Sequence, residues 1–374
     1  MRKSFVLFIL MLILVAGWVS AQAAAASPGT WSMFRHDAQH SGRTTETGSL
    51  KGALKWKKEV EPVRALVTGS AGSLYLAGRG ITKLRPEDGS QKWFYDKGSF
   101  TGDYYFDLSV TGAGIVFAAR DNYVEYNPHL FGLSSSGELK WRSNYATSHV
   151  VLGGDGTAYF CDGQIVALTP DKQLRWRRGA CDTDPVIGAD GTIYAISNPG
   201  LSSQHYLVAF AQDGTYKFRK RFDAPPYSFA SPAVGPDGTI YAVHSAGDLF
   251  ALDPQGKVKW RYAVGIDSSQ SAPAIASDGT IYVQSGGFLI ALSPKGTLRW
   301  KIAVGPRSLS SPAVDAGGTI YMSGGRSLLA IRPNGTLLWK KEIGFPATPP
   351  ILANGTVYVG AYPDPDHYML YAFQ

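Results

Sequence analysis

The sequence predicts an all-β chain folded as an eight-bladed β-propeller of four-stranded blades, and three observations predict it. First, residues 231–260, 272–300 and 311–339 repeat one unit (the first reads SPAVGPDGTIYAVHSAGDLFALDPQGKVKW), at the period of roughly forty residues typical of propeller blades. Second, short alternating runs inside the unit are split by D-G, G-G and P-x-G turns, so SPAVG, TIYAVHS, LFALD and KVKWRYAV read as strands A to D. Third, the aromatic residue closing strand D recurs at Trp56, Trp93, Trp141, Trp176, Phe218, Trp260, Trp300 and Trp339, and a strand-B aromatic recurs at Tyr75, Phe117, Tyr159, Tyr194, Tyr241, Tyr282, Tyr321 and Tyr358. Both series reach eight.

In chain order, Arg2 and Lys3 precede an unbroken apolar run ending at Ala21-Gln22-Ala23, which reads as a cleavable signal peptide over 1–23. No cysteine follows to carry a lipid, and no later apolar stretch reaches the roughly 18 residues a membrane span requires. A secreted or otherwise extracytoplasmic protein is expected. Losing Arg2 and Lys3 lowers the formal charge from +7 to +5, a basic excess spread along the chain that gives no footprint for nucleic acid. A monomer is expected.

Residues 24–51 read as a leader packing on the propeller. Within it HDAQH, His36 to His40, resembles the H-E-x-x-H zinc pattern, but Gly29 and Gly42 bracket it too closely for a helix. Asp37 is one carbon short of glutamate and no third ligand is evident, so no metal is assigned. The leader is expected beneath the ring, with Trp31, Met33 and Phe34 packed against it. Next comes GALKWKKEV (52–60), a strand D without strands A to C before it, whereas the last unit stops after strand C. The propeller, 52–374, is therefore expected to close when this N-terminal strand completes the last blade, removing both free edges.

In a propeller the D-to-A and B-to-C loops share one face, here called the top. The long insertions 95–106, 120–131, 197–206 and 360–369 all fall there. The residue opening each inner strand A is Ala65, Asp107, His149, Asp184, Ser231, Ala272, Ser311 and Thr348, so three neighbouring blades depart from small or hydroxyl residues. Two readings follow: short polar side chains capping backbone, or Asp107, His149 and Asp184 converging on a ligand. A polar small molecule or glycan suits the second better than a metal, with Tyr105 and Tyr123, beside Tyr104 and Tyr126, offering stacking faces. Cys161 and Cys181 both map to the top and are expected to pair, closing a loop of about 20 residues worth about 3 kcal/mol. The basic runs KWKK, RWRR, FRKR and WKKE lie on the outer strand D, where charge discourages edge-to-edge pairing.

The segments ALDPQGKVKW and KLRPEDGSQKW resemble the tryptophan-docking repeat A-L-D-x-x-x-G-x-x-x-W of pyrroloquinoline quinone (PQQ) dehydrogenases. The resemblance covers essentially the whole mature chain and implies an eight-bladed propeller. It extends to non-catalytic members, among them the propeller lipoprotein of the outer-membrane barrel-assembly machinery, and GTWSMFRHDAQHSGRT looks like the leader before many such propellers. Quinone enzymes of this kind use a vicinal disulfide and bind calcium with acidic and amide side chains. Cys161 and Cys181 are not adjacent, and no calcium ligands can be matched. SPKGTLRW superficially resembles the Asp-box of sialidases, yet three residues separate Gly296 from Trp300 and no arginine triad is present.

The expectation is thus a secreted binding or scaffold module for a protein or glycan partner, with its site on the top of blades 2 to 4. No catalytic residue and no cofactor are assigned. PQQ with calcium would follow only if the chain were an alcohol or sugar oxidoreductase; a glycan-active enzyme is the further alternative.

Overall fold

Alternation of apolar residues with period two puts one face of each strand into a neighbouring sheet, and nearly every strand-B and strand-C residue here is buried on both faces. The result, in a computed structural model describing residues 30–96, 104–121, 129–145, 147, 149–198, 204–224, 229–265, 272–305 and 311–374, is a ring of eight antiparallel sheets. Seven sheets run A-B-C-D in chain order. Blade 1 is Ala65–Thr68, Leu74–Ala77, Ile81–Leu84 and Gln91–Tyr95, and blade 4 is Val186–Ile187, Ile193–Ser197, Gln204–Phe210 and Tyr216–Asp223. The last blade draws strand D from Leu54–Glu59, which pairs with Met369–Phe373. Thr356–Tyr362 follows, paired with both Ile351–Ala353 and Phe345–Pro346. The only helical turn among the described residues is a 3-10 turn at Ser70–Gly72. Among them no helix is long and apolar enough to cross a membrane. Residues 1–23, read from the sequence as a signal peptide, lie outside the described residues.

The two aromatic series meet inside every blade. Tyr75 packs on Trp93, Phe117 on Trp141, Tyr159 on Trp176, Tyr194 on Phe218, Tyr241 on Trp260, Tyr282 on Trp300, Tyr321 on Trp339 and Tyr358 on Trp56, with centroids 5.5 to 6.4 Å apart. Each indole then reaches the next blade. Trp93 Nε1 donates to Ser135 O at 3.0 Å, Trp260 to Pro294 O at 2.9 Å, and Trp339 to Ser49 O at 2.9 Å, in the leader where it enters blade 8. The turn glycine under the indole is obligatory on two counts. Gly296 sits at φ +80°, and a Cβ there would lie 2.6 Å from the Trp260 ring.

The insertions are more regular than expected. Tyr104–Phe106 join strand A of blade 2, Tyr104–Val110, because Tyr104 and Tyr105 pair with Asp121 and Arg120, with a register shift before Asp107. Gln204–Tyr206 likewise extend strand C of blade 4. Elsewhere strand A is short. In blades 3 to 7 it is a two-residue ladder, such as Val151–Leu152 or Ala233–Val234, so His149, Asp184, Ser231, Ala272 and Ser311 lie two residues ahead of it, in the chain entering the channel.

The leader runs inside the channel. In blades 1 to 7 the last residue of strand A gives its inward N–H to leader acceptors in order. Thr68 donates to Trp31 O (2.7 Å), Val110 to Ser32 O (2.7 Å), Leu152 to Met33 Sδ (3.5 Å) and Ile187 to Ala38 O (2.7 Å). Val234 donates to Gln39 O, Ile275 to Ser41 O and Val314 to Gly42 O, each at 2.8 Å. At blade 8 the Asn354 N–H meets the Glu46 carboxylate. Inner strands of a propeller leave these donors without a strand partner, and a buried unpaired N–H costs about as much as a lost hydrogen bond. Turning so tightly puts three non-glycine residues, Arg35 (φ 60°), His36 (φ 80°) and His40 (φ 52°), in the left-handed region. Such strain persists only where surroundings over-determine it. Here the buried Arg35 guanidinium donates to Pro312 O at 2.8 Å and to Pro273 O, while His40 Nδ1 lies 3.2 Å from Pro232 O.

Candidate functional site

The three polar departures from the repeat come together at the top mouth of the channel. His149 Nδ1 lies 2.7 Å from Asp184 Oδ2, and Asp184 also accepts the His149 backbone N–H at 3.2 Å and the Ser231 hydroxyl at 2.5 Å. Asp107 Oδ2 accepts the Val150 N–H at 3.0 Å, and Ser109 Oγ donates to Val150 O at 2.6 Å. Both carboxylates bond backbone of an adjacent blade, Asp107 with a bond to its own strand at Leu108 as well, and together they tie blades 2 to 5 around His149. Their exposure is 2% and 4%, whereas the His149 side chain is 27% exposed.

Electrostatics follow from this burial. Burial alone would pull the His149 imidazolium down, but the charge and hydrogen bond of Asp184, with Asp107 behind it, raise its pKa to about 9. Burial pushes Asp107 up to about 7, against the pull of His149 and the Val150 N–H. At neutral pH the ring is an imidazolium whose Nδ1–H is engaged by Asp184 and whose Nε2–H has no partner among the described residues.

Phe34 of the leader stacks on the His149 ring, centroids 3.9 Å apart and planes 24° apart. The leader, expected on the face opposite Asp107, His149 and Asp184, instead rises through the channel to touch them. Phe34, His149 and Pro349 border two cavities. The larger, about 380 Å³, is lined by Asp182, Thr183, Asp184, Phe229, Ser231, Ala272 and Ser311 among others. The smaller, about 90 Å³, lies against blades 8, 1 and 2 and is lined by Trp31, Arg35, Arg64, Phe106 and Asp107 among others.

Tyr105 is corrected. It is 1% exposed, packs edge-on against Phe131 at 5.4 Å, and lines neither cavity, because the longer strand A turns it into the core. Tyr123 lies outside the described residues. Cys161 and Cys181 form a disulfide with Cα atoms 6.0 Å apart, anchoring the segment that supplies Asp182, Thr183 and Asp184. The histidines of HDAQH serve structure. His40 is wholly buried and pulled down to about 4 by burial, hence neutral and donating from Nδ1 to Pro232 O. His36 faces Asp37 at 3.5 Å, and the Asp37 carboxylate caps Ser41 N at 2.8 Å. No group of three or more His, Cys, Asp or Glu among the described residues comes together as a metal site. Sequence reading missed Phe34, Arg35, Arg64 and Phe229; only the apolar character of Trp31, Met33 and Phe34 hinted that the leader seeks burial.

Fold and site together define a β-propeller with tryptophan-docked blades and a channel stoppered by its own leader. A family model described as outer membrane protein assembly factor BamB matches residues 132–268 and 162–372, and the chain belongs to that family of PQQ-like propellers. Among solved structures it is similar to the quinohemoprotein alcohol dehydrogenase from Comamonas testosteroni, with 13% identity over 94% of this chain and 81% of that one, TM-score 0.71. BamB from Moraxella catarrhalis is 15% identical, over 85% of this chain and 97% of that one, TM-score 0.62. The C-terminal WD40 domain of Sif2 is 11% identical, over 86% and 99%, TM-score 0.64. Identities this low carry the fold alone. No curated protein matches the chain.

Proposed function

We propose that the protein is an exported binding module whose channel mouth receives one polar group, of side-chain or monosaccharide size, presented by a protein or glycan partner. The observation that carries this is the stopper. Leader acceptors satisfy the inner strands around the ring, and beside the leader at the mouth lies a cavity of about 380 Å³ with Phe34 in its wall, apolar rings on some sides and Asp184, Thr183 and Ser231 on others. Small preformed cavities with a few convergent polar groups are where ligands bind. The family's description as an assembly factor supports a scaffold role. Export rests on the signal-like residues 1–23, and Edman sequencing of the exported protein should start at Ala24.

The residues do not fit a quinone cofactor. The two cysteines are 20 positions apart rather than vicinal, unlike the pair that the resemblance to quinone enzymes implies. Adding PQQ and calcium should give no dye-linked alcohol or sugar oxidation. For binding, glycan and peptide arrays should yield ligands that Ser311→Trp, which fills the larger cavity, loses at least tenfold while melting as wild type. Ligands retained by that variant would overturn the assignment to this cavity.

A further inference from the structure

The smaller cavity carries its own chemistry. Three cationic side chains line it: Arg35, Arg64 and His149. Arg35 is 4% exposed and spends its two terminal nitrogens on Pro273 and Pro312 carbonyls, yet its Nε–H finds no acceptor. His149 gives Nδ1–H to Asp184 and keeps Nε2–H unpartnered among the described residues. Arg64 is exposed, its guanidinium lies over the Tyr104 ring at 4.7 Å, and it pairs with no carboxylate among the described residues. Asp107 is the only acid in the lining, and its Oδ2 is turned to the Val150 N–H. Three cationic side chains against a single acid leave the lining with an excess of positive charge and open N–H donors, which an anion matches.

The geometry points to a carboxylate-binding site in this cavity, with Arg64 and His149 Nε2–H as charged donors and the Arg35 guanidinium as a buried charge in its wall. This deepens the binding reading by naming the group the partner presents, and it concerns the cavity on the other side of Phe34. At about 90 Å³ the space admits a single carboxylate and its carbon rather than a ring. Apolar walls from Trp31, Leu66 and Val67 keep the interaction at low dielectric, where a charge-assisted hydrogen bond is strongest. The carboxylate can come from a peptide C-terminus or from an acidic sugar.

The test titrates acetate, with acetamide as the neutral control, into isotope-labelled full-length protein. The readout is the His149 imidazole resonance, assigned through His149→Gln. Acetate should move it saturably, acetamide should not, and Arg64→Gln, an exposed change that leaves the leader's contacts intact, should weaken acetate at least tenfold. Ser311→Trp should leave the acetate response unchanged, which separates this site from the larger cavity even if the array experiment finds nothing. N-acetyl-diglycine and glucuronate form the remaining arms, and whichever binds more tightly than acetate identifies the carrier. Equal response to acetate and acetamide, or an Arg64→Gln variant that binds acetate as wild type does, would overturn the proposal.

Discussion

On the His149 ring the fold treats the two nitrogens differently: Nδ1 is held by Asp184, and Nε2 is left to whatever enters the mouth. Protonation then links the site to stability. The His149 pKa is raised to about 9 from the ordinary 6.5, so its contribution is fully present below pH 6.5 and is lost as pH rises through about 9. Asp107 works in the same direction for the opposite reason. Its pKa is pushed up from 3.8 to about 7, the unfolded chain releases that proton first, and stability falls as pH rises from 3.8 to about 7. Melting temperatures of wild type minus Asp107→Asn should therefore decline across the lower window, and those of wild type minus His149→Gln across the upper one; flat differences would refute the assignment. Asp107, His149 and Asp184 were legible because the repeat supplies its own control. Phe34 and Arg64 were not, since the leader has no second copy to be compared with and Arg64 matters only through what faces it.

The leader is the element with the largest distance between pattern and structure. Its composition suggests a segment packed under the ring, while its acceptors serve inner strands of successive blades. That path depends on backbone at Arg35, His36, His40 and Gly42 turning left-handed, a choice no apolar period encodes. Gly42 is the sensitive point, at φ +61° with a built Cβ 2.5 Å from the Arg35 guanidinium. Gly42→Ala should cost about 2 kcal/mol in equilibrium denaturation, and a loss under about 0.5 kcal/mol would mean the leader is loosely held. The Cys161–Cys181 pairing, by contrast, was legible, because strand topology alone puts both residues on the top between blades 3 and 4.

Across the whole molecule, stability is shared among blade interfaces, six of which repeat one bond, the indole N–H to a carbonyl of the next blade's C-to-D turn. Trp300 donates to Pro333 O at 2.8 Å, in an exposed position. Trp300→Phe should lower stability by about 1 kcal/mol, the net value of one such hydrogen bond, read as a shift in urea midpoint at unchanged slope. Blade 4 already carries Phe218 in this place, packed on Tyr194 with centroids 6.4 Å apart but with no N–H to give.

By itself the sequence determined the eight blades, their closure by the strand at Leu54–Glu59, and the docking aromatics, because each is written as a period and every copy corroborates the others. It also placed the polar sector of the mouth on neighbouring blades. Tertiary structure alone decided that Tyr105 belongs to the core, that the leader occupies the channel, and that Phe34 divides the mouth into two cavities of unlike charge. The physical reason is the range of the information. Strand periodicity and turn chemistry are local and recur in each unit, whereas the site arises where a non-repeating segment meets the inner edges of all eight blades, and only the closed ring brings those edges together.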